Sequence, residues 1–245
     1  MISKITIASI IKKYYLGEIE QVKWEIKNKT LNIDFIAPSK IVIGNVSCNN
    51  FPIEDSSLAI YNTKKLSNLI NITSGELLFE IEKQEQILLK LLISDANYNL
   101  TYALSDPLLF PKTGKVKAPS TYEVILNLNI EDISNLLKAK NALADIDNMM
   151  ITTVKDLDGE DICEFVFGDE AGHNNKITYR LRGEIKDDNI KIRYNSDMFK
   201  LILYANKDAE EGKLQLSNEG LMKLNFKSGD IKSEYYMVPQ EGGVY

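Results

Sequence analysis

The chain has 245 residues, enough for one or two domains with a sizeable hydrophobic core. With 44% hydrophobic and 26% charged residues, and only 6 prolines and 13 glycines, its composition excludes a wholly disordered or collagen-like protein. The net charge of −6 excludes a chain that is basic throughout. The longest apolar stretch is far shorter than the roughly 20 residues of a membrane span, and residues 1–15 do not resemble a signal peptide. We therefore expect a cytoplasmic protein with no membrane association.

Four segments have the apolar spacing of amphipathic helices. In the first, Ile7, Ile11 and Tyr14 fall on one face at i, i+4 and i+7. Asn62 and Asn195 stand where the N-caps of the second and fourth segments belong. The predicted helices cover residues 4–15, 63–72, 130–143 and 196–205.

Most of the remaining chain has the alternation of β-strands. Residues 24–36 alternate around an Asn-Lys pair, and residues 76–93 form two apolar runs around a polar turn, so both predict hairpins. The acidic segment DLDGED (156–161) predicts another hairpin turn, with Asp158 and Gly159 as the turn pair. Further short strands are predicted at 97–104, 149–156, 162–169, 175–183, 189–194 and in the last third of the second half.

The predicted elements recur in order. The helix that follows Asn62 has a counterpart after Asn195, 133 residues later, and residues 75–77 have one at 212–214. The chain is therefore a duplicated unit of helix, strands, helix and three strands. Half of the prolines lie in the polar stretch between the copies, which is typical of a linker. We predict a first domain at 1–106, a linker at 107–120 and a second domain at 121–245.

Lysines lie opposite the apolar face of every predicted helix, whereas acidic residues crowd the turns. This segregation predicts one positive and one negative surface, and a positive helical surface is suited to binding a polyanion. The best-placed lysines by helical angle are Lys12, Lys13, Lys64, Lys138 and Lys200. Weaker candidates are Lys65, Lys140 and Lys207.

Motifs for catalysis are nearly absent. His173 is the only histidine and lies in a turn-like run with no nucleophile elbow nearby, and there is no glycine-rich phosphate loop. The two cysteines, Cys48 and Cys163, fit no metal or redox spacing. We therefore expect no catalytic site, no metal and no organic cofactor.

The sequence resembles the DNA sliding clamps, which are polymerase processivity factors. The likeness is greatest to those of T-even-type bacteriophages. The likeness covers nearly the whole chain in order, and its C-terminal strand also resembles that of proliferating-cell-nuclear-antigen clamps. The segments that carry it are 57–70, 104–112, 128–143, 192–208 and 233–239. The resemblance implies an α+β fold of duplicated clamp-type domains, with antiparallel sheets outside and two helices per domain lining the hole of a homotrimeric ring.

The resemblance also implies a function in viral DNA replication. Such a ring encircles double-stranded DNA without reading its sequence and tethers the replicative DNA polymerase, and a clamp loader places it on DNA. The eight lysines named above would then contact phosphates.

Two further surfaces follow from the same likeness. A head-to-tail trimer needs two different strand edges, for which we predict residues 97–104 and 175–183, with Lys176, Arg180 and Arg182 meeting Asp95 or Asp106. The predicted interface residues are Tyr98, Leu100, Tyr102, Ile177, Tyr179, Arg180 and Leu181. Peptide tails of the polymerase and loader are expected in an apolar pocket beneath the linker, formed by Ile41, Ile43, Leu108, Leu109, Phe110, Met237, Val238 and Pro239.

Two alternatives of other classes remain open at this stage. One is a hydrolase that uses His173 with the carboxylates of Asp156, Asp158 and Asp161. The other is a structural protein that assembles through the edges of its β-sheets.

Overall fold

The structure repeats one arrangement in each half of the chain, in which two helices pack against each other and against antiparallel strands. This computed structural model describes residues 1–110, 113–114, 116–168 and 175–240. Unit 1 consists of Met1–Pro38, Gly44–Lys115 and Asp230–Ser233, and unit 2 of Ser39–Ile43, Val116–Gly229 and Glu234–Tyr245. Each unit thus includes a short segment from the sequence range of the other.

Unit 1 has two antiparallel sheets, with strand orders β1-β6-β7-β8 and β4-β3-β2-β5. Its helices pack through apolar faces that include Ile7, Ile11 and Leu66, all of which are buried. Its elements are β1 (Ile2–Ser3), α1 (Lys4–Tyr15), β2 (Val22–Lys27), β3 (Thr30–Ile36), β4 (Val42–Cys48, whose first two residues belong to unit 2), β5 (Ser56–Ile60), α2 (Thr63–Ile72), β6 (Glu76–Gln84), β7 (Ile87–Ser94) and β8 (Asn99–Ala103).

Unit 2 repeats the plan with orders β12-β11-β10-β14 and β13-β9-β15-β16-β17. Its helices α3 and α4 pack together and against β9, β10, β12 and β14. Its elements are β9 (Val124–Leu128), α3 (Ile130–Ala142), β10 (Asn148–Lys155), β11 (Asp161–Gly168), β12 (Lys176–Leu181), β13 (Glu184–Ile185), β14 (Lys191–Asn195), α4 (Ser196–Ala205), β15 (Glu211–Leu216), β16 (Met222–Ser228) and β17 (Ile231–Met237, whose first three residues belong to unit 1).

The predicted helices are confirmed almost to the residue, because their ends depend on local capping. The side chains of Asn62 and Asn195 accept hydrogen bonds from the backbone of the first turns of α2 and α4, as predicted. Helix α3 ends at Ala142, one residue before the predicted end, and Leu143 is its C-cap. Asn129 and Asp132 form a capping box at its start.

The predicted hairpins are present as well. Asn28 and Lys29 join β2 to β3 with positive φ angles of 51° and 58°, as a tight turn between twisted strands requires. Gly159 lies at φ +80° in the turn between β10 and β11. No helix in the described part of the chain is long and apolar enough to cross a membrane.

Candidate functional site

The exposed lysines of the helices are the first feature of the candidate site. The four helices contain eight lysines and three acidic residues, although the whole chain has a net charge of −6. Lys64 and Lys65 are exposed and lie in the first turn of α2. A cation is disfavoured there because the N-terminal end of a helix dipole is positive. The structure places the carboxylate of Glu20 at this helix end, where it accepts from Lys64 N at 3.0 Å, and a role of the two ammonium groups in binding phosphate stays a prediction.

Four more of the predicted lysines are accessible. Lys138 is exposed on α3, with its ammonium 3.3 Å from Asn135 Oδ1 in the same helix, and Lys12 and Lys200 are partly exposed. Lys207 is exposed just after α4. Each of these side chains is at least partly accessible beside the helices of its own unit.

Lys13 and Lys140 are corrections, because both side chains are only 1% exposed and cannot reach a phosphate. Lys13 lies beside Tyr14 in the last turn of α1, which is buried on more than one face. Lys140 turns back over the end of α3, where its ammonium donates to the carbonyls of Ala144 (3.1 Å) and Ile146. It also forms an ion pair with Asp197 in the first turn of α4 (Nζ–Oδ1 3.0 Å). Lys140 therefore links the end of α3 to the start of α4 within unit 2.

The two predicted edge strands each have a single partner within the described residues. Strand β8 pairs only with β7, and β12 pairs only with β11. Each therefore has an unpaired backbone edge, which is the condition that the predicted trimer requires. Tyr98, Leu100, Ile177 and Tyr179 are exposed or half-exposed on or beside these strands. Their place in a subunit interface stays a prediction.

Tyr102 and Leu181, in contrast, belong to the core of their own units. They are 1% and 9% exposed, because alternate residues of an edge strand still face the helices. Two of the three predicted basic residues also form ion pairs within the chain, since Arg180 Nε lies 2.8 Å from Glu164 Oε1 and Arg182 pairs with Asp156 and Glu160.

The two carboxylates that were expected to meet these arginines are occupied too. Asp95 accepts hydrogen bonds from the backbone N–H groups of Ser74, Asn97 and Tyr98, at 2.7 to 2.8 Å. Asp106 accepts one from Leu108 N at 2.8 Å. Both side chains therefore shape turns in unit 1, and their pairing with basic residues of another subunit stays a prediction.

The predicted pocket residues separate into accessible and buried ones. Ile41, Ile43 and Pro239 are half-exposed and Val238 is 41% exposed, and the Val238 N–H donates to the Ile41 carbonyl at 3.0 Å. Met237 is fully buried, so it supports the surface from below and is not part of it.

The linker segment Leu108–Phe110 lies in unit 1 and has two faces. Leu108 and Leu109, in a short 3₁₀ turn, are 90% and 75% exposed, whereas Phe110 is 8% exposed. Phe110 lines a groove of about 730 Å³ whose charged lining is four acidic residues and Lys23. Its lining includes Phe35, Ile36 and Pro38, together with Glu18, Glu20, Glu25 and Asp34. Sequence reasoning missed this groove, because β2 and β3 alternate like any half-exposed hairpin.

The residues of the hydrolase alternative do not form a described active site. Asp156 Oδ1 accepts from the backbone N–H groups of Asp158 and Glu160 at 2.9 and 3.0 Å, and its Oδ2 pairs with Arg182. No group of three potential metal ligands exists among the described residues, and His173 lies outside them. The acidic segment is therefore a turn that is stabilised by backbone hydrogen bonds and an ion pair.

The cysteines are not poised for chemistry either. Cys48 and Cys163 are free and buried. Burial raises the pKa of the Cys48 thiol to about 11 and that of Cys163 to about 12, so both are protonated at neutral pH.

Comparison with solved structures identifies the architecture. The chain is similar to proliferating cellular nuclear antigen (PCNA) from Entamoeba histolytica, with a TM-score of 0.74 and 13% identity over 97% of this chain and 96% of that one. It is also similar to a chain of the PCNA2–PCNA3 complex of Sulfolobus tokodaii, with a TM-score of 0.75 and 11% identity over 98% of both chains. This chain has the PCNA sliding-clamp fold.

A third clamp structure extends the comparison. A. fulgidus PCNA, solved with the C-terminal region of FEN-1 bound, matches with a TM-score of 0.77 and 13% identity over 98% of this chain and 96% of that one. No protein-family model and no curated protein sequence matches. The predicted α+β clamp fold is therefore confirmed, at identities too low to carry residue roles from one clamp to another.

Proposed function

We propose that the protein is a DNA sliding clamp that encircles double-stranded DNA as a homotrimer and tethers a replicative DNA polymerase. The observation that carries this proposal is the pair Lys64 and Lys65, exposed at the helix end where cations are least favoured, in a chain with the PCNA clamp fold. An acidic protein that concentrates lysines on its helices is suited to hold a polyanion beside those helices.

The mechanism follows from point charges and topology. Lysine ammonium groups attract phosphates without recognising bases, so the contacts exchange as the duplex moves. A closed ring prevents lateral escape, so weak contacts are sufficient for long residence. The chain would act as a scaffold and not as an enzyme, without cofactor or metal, in the cytoplasm of the phage-infected cell that the resemblance implies.

Assembly and partner binding complete the proposal. The unpaired edges of β8 and β12 supply two different surfaces, as a heterologous contact that closes into a ring needs. Peptide tails of the polymerase and the clamp loader would bind near Phe110 or the Ile41–Val238 surface.

A threading experiment tests the ring without a loader. A duplex is fixed to a bead at one end, and its other end is either left open or blocked by a bulky protein after the clamp has been added. We expect the blocked duplex to retain the protein in salt that empties the open one, and cleavage of the duplex to release it. Equal retention on open and blocked duplexes would rule out encirclement.

The lysine assignment has its own test in the same assay. Lys64→Glu with Lys65→Glu should reduce threading at low salt, with a smaller effect as salt screens the charges. Lys227→Glu is a control for charge reversal away from the helices, because Lys227 lies on β16 and pairs with Glu211 at 3.0 Å. Stimulation of a cognate polymerase on primed DNA with its loader then tests tethering.

A further inference from the structure

The exposed face of α4 carries an aromatic residue among lysines. Tyr204 lies one turn after Lys200, is 50% exposed, and the Lys207 ammonium lies 5.2 Å from the centre of its ring. A cation at this distance over a ring is attracted by the negative face of the π-system. The two side chains therefore form a cation–π pair on the surface of unit 2.

The backbone next to this cation–π pair is held in place by hydrogen bonds of Asn206. Asn206 is fully buried, and its Nδ2 donates to the Ile202 carbonyl and to the Tyr235 hydroxyl, both at 2.9 Å. Lys207 follows directly, so its Cα position is determined by the core of unit 2. The backbone does not determine the conformation of the Lys207 side chain, and lysine has more rotamer freedom than almost any other residue.

Tyr204 restricts this freedom. A half-exposed tyrosine adds little to the core, and tyrosine is a weaker helix former than leucine or alanine. We propose that Tyr204 is a positioning residue. Its ring holds the Lys207 ammonium beside the exposed face of α4, where the ammonium can contact a backbone phosphate of duplex DNA. The inference rests on the proposed function, since it assigns the ligand of Lys207.

The charges around the pair are compatible with this role. Asp197, on the same face of α4, is paired with Lys140, and Asp208 is exposed beyond the helix end. The ammonium over the ring still has N–H groups that point away from it, and these are the donors that a phosphate needs. The ring thus orders the cation without neutralising it.

The test is a double-mutant cycle on affinity for a short labelled duplex at several salt concentrations. Lys207→Met should reduce the slope of log affinity against log salt concentration by about one, because one counterion fewer is released on binding. Tyr204→Leu should weaken binding about two- to tenfold, because Lys207 then loses more rotamer freedom when it binds the phosphate. Tyr204→Phe, which keeps the ring, should bind as the parent does. The double variant Tyr204→Leu/Lys207→Met should bind no more weakly than Lys207→Met alone.

A spectroscopic measurement reads the contact directly. The ε-methylene protons of Lys207 should be shifted upfield by the ring in the parent and in Tyr204→Phe, and the shift should be lost in Tyr204→Leu. Additive effects of the two substitutions, or a loss of binding in Tyr204→Phe equal to that in Tyr204→Leu, would overturn the proposal.

The outcomes separate this inference from the proposed function. If the Lys64/Lys65 variant loses DNA while Tyr204→Leu binds normally, the role of Tyr204 fails alone. If no lysine variant changes DNA affinity at any salt concentration, the proposed function fails and this inference fails with it.

Discussion

The hydroxyl of Tyr102 forms two hydrogen bonds with the backbone of Asn62, accepting from its N–H at 2.9 Å and donating to its carbonyl at 3.1 Å. Asn62 is at the same time the N-cap of α2, with its side chain 2.7 Å from Lys65 N. Strand β8 is thereby joined to the start of the helix that carries the exposed lysine pair. Burial raises the pKa of Tyr102 to about 12, so the hydroxyl keeps its proton under ordinary conditions.

Tyr102→Phe should lower the free energy of unfolding by about 1–2 kcal/mol, because two backbone groups lose a partner in a part-buried site. Denaturant unfolding measures the change, and the mass in solution should stay that of the parent. A variant that dissociates without losing stability would return Tyr102 to the subunit interface.

Lys140→Met should destabilise the protein by about 1–3 kcal/mol, because the carbonyls at the end of α3 lose their donor. Lys138→Met, two residues earlier but exposed, should leave the melting temperature nearly unchanged and weaken binding of DNA. Thermal unfolding and the threading assay together distinguish the two lysines. The reverse pattern would return Lys140 to the DNA-contacting lysines and remove Lys138 from them.

Leu100→Asp or Ile177→Asp should convert the proposed trimer to monomers, because a carboxylate on a half-exposed edge position would be buried there without a partner. Leu78→Asp is the control, since Leu78 is 44% exposed on β6, which has neighbours on both sides. Sedimentation measures the mass. Trimers that persist in both edge variants would place the interface elsewhere.

Phe110→Ala and Val238→Asp should each reduce binding of a polymerase C-terminal peptide at least tenfold, as loss of an apolar anchor does. Phe110 is nearly buried in the free chain and Val238 is 41% exposed, so only the first variant should also lower stability. Fluorescence anisotropy on folded trimers measures the affinity. Unchanged affinity in both variants would exclude these surfaces.

The pH dependence of stability should include a contribution from Asp95. Hydrogen bonds from the backbone of Asn97, followed by those of Ser74 and Tyr98, lower the pKa of its carboxyl group. The stabilisation is therefore present above about pH 4 and is lost as the pH falls through the lowered pKa. Asp95→Asn should be less stable than the parent at pH 7, and the difference should shrink in acid. A difference that stays constant with pH would contradict the assignment.

The sequence predicts what local interactions determine. The helix ends follow from Asn62, Asn195 and the apolar spacing, which act within one or two turns, and the turn at Asn28 follows from residues that tolerate positive φ. The short strands β5 and β9 were not predicted, because each contains three consecutive apolar residues and lacks the alternation that marks a half-exposed strand.

The site residues were harder to predict, for a physical reason. A helical wheel gives the direction of a side chain but not what the rest of the chain places over it. Lys138 and Lys140 lie on the same helix, yet the loop after α3 covers only the second. The same limitation applies to Tyr102, whose neighbours on β8 are accessible while its own ring faces the helices.

The exchange of segments between the units has a consequence for synthesis. Unit 1 includes Asp230–Ser233, where the Asp230 carbonyl accepts from Asn49 N at 3.2 Å, and unit 2 includes Ser39–Ile43. A ribosome therefore completes the first unit only when it has translated residue 233. A fragment that ends before residue 230 therefore lacks part of unit 1, and a fragment that begins after residue 43 lacks part of unit 2.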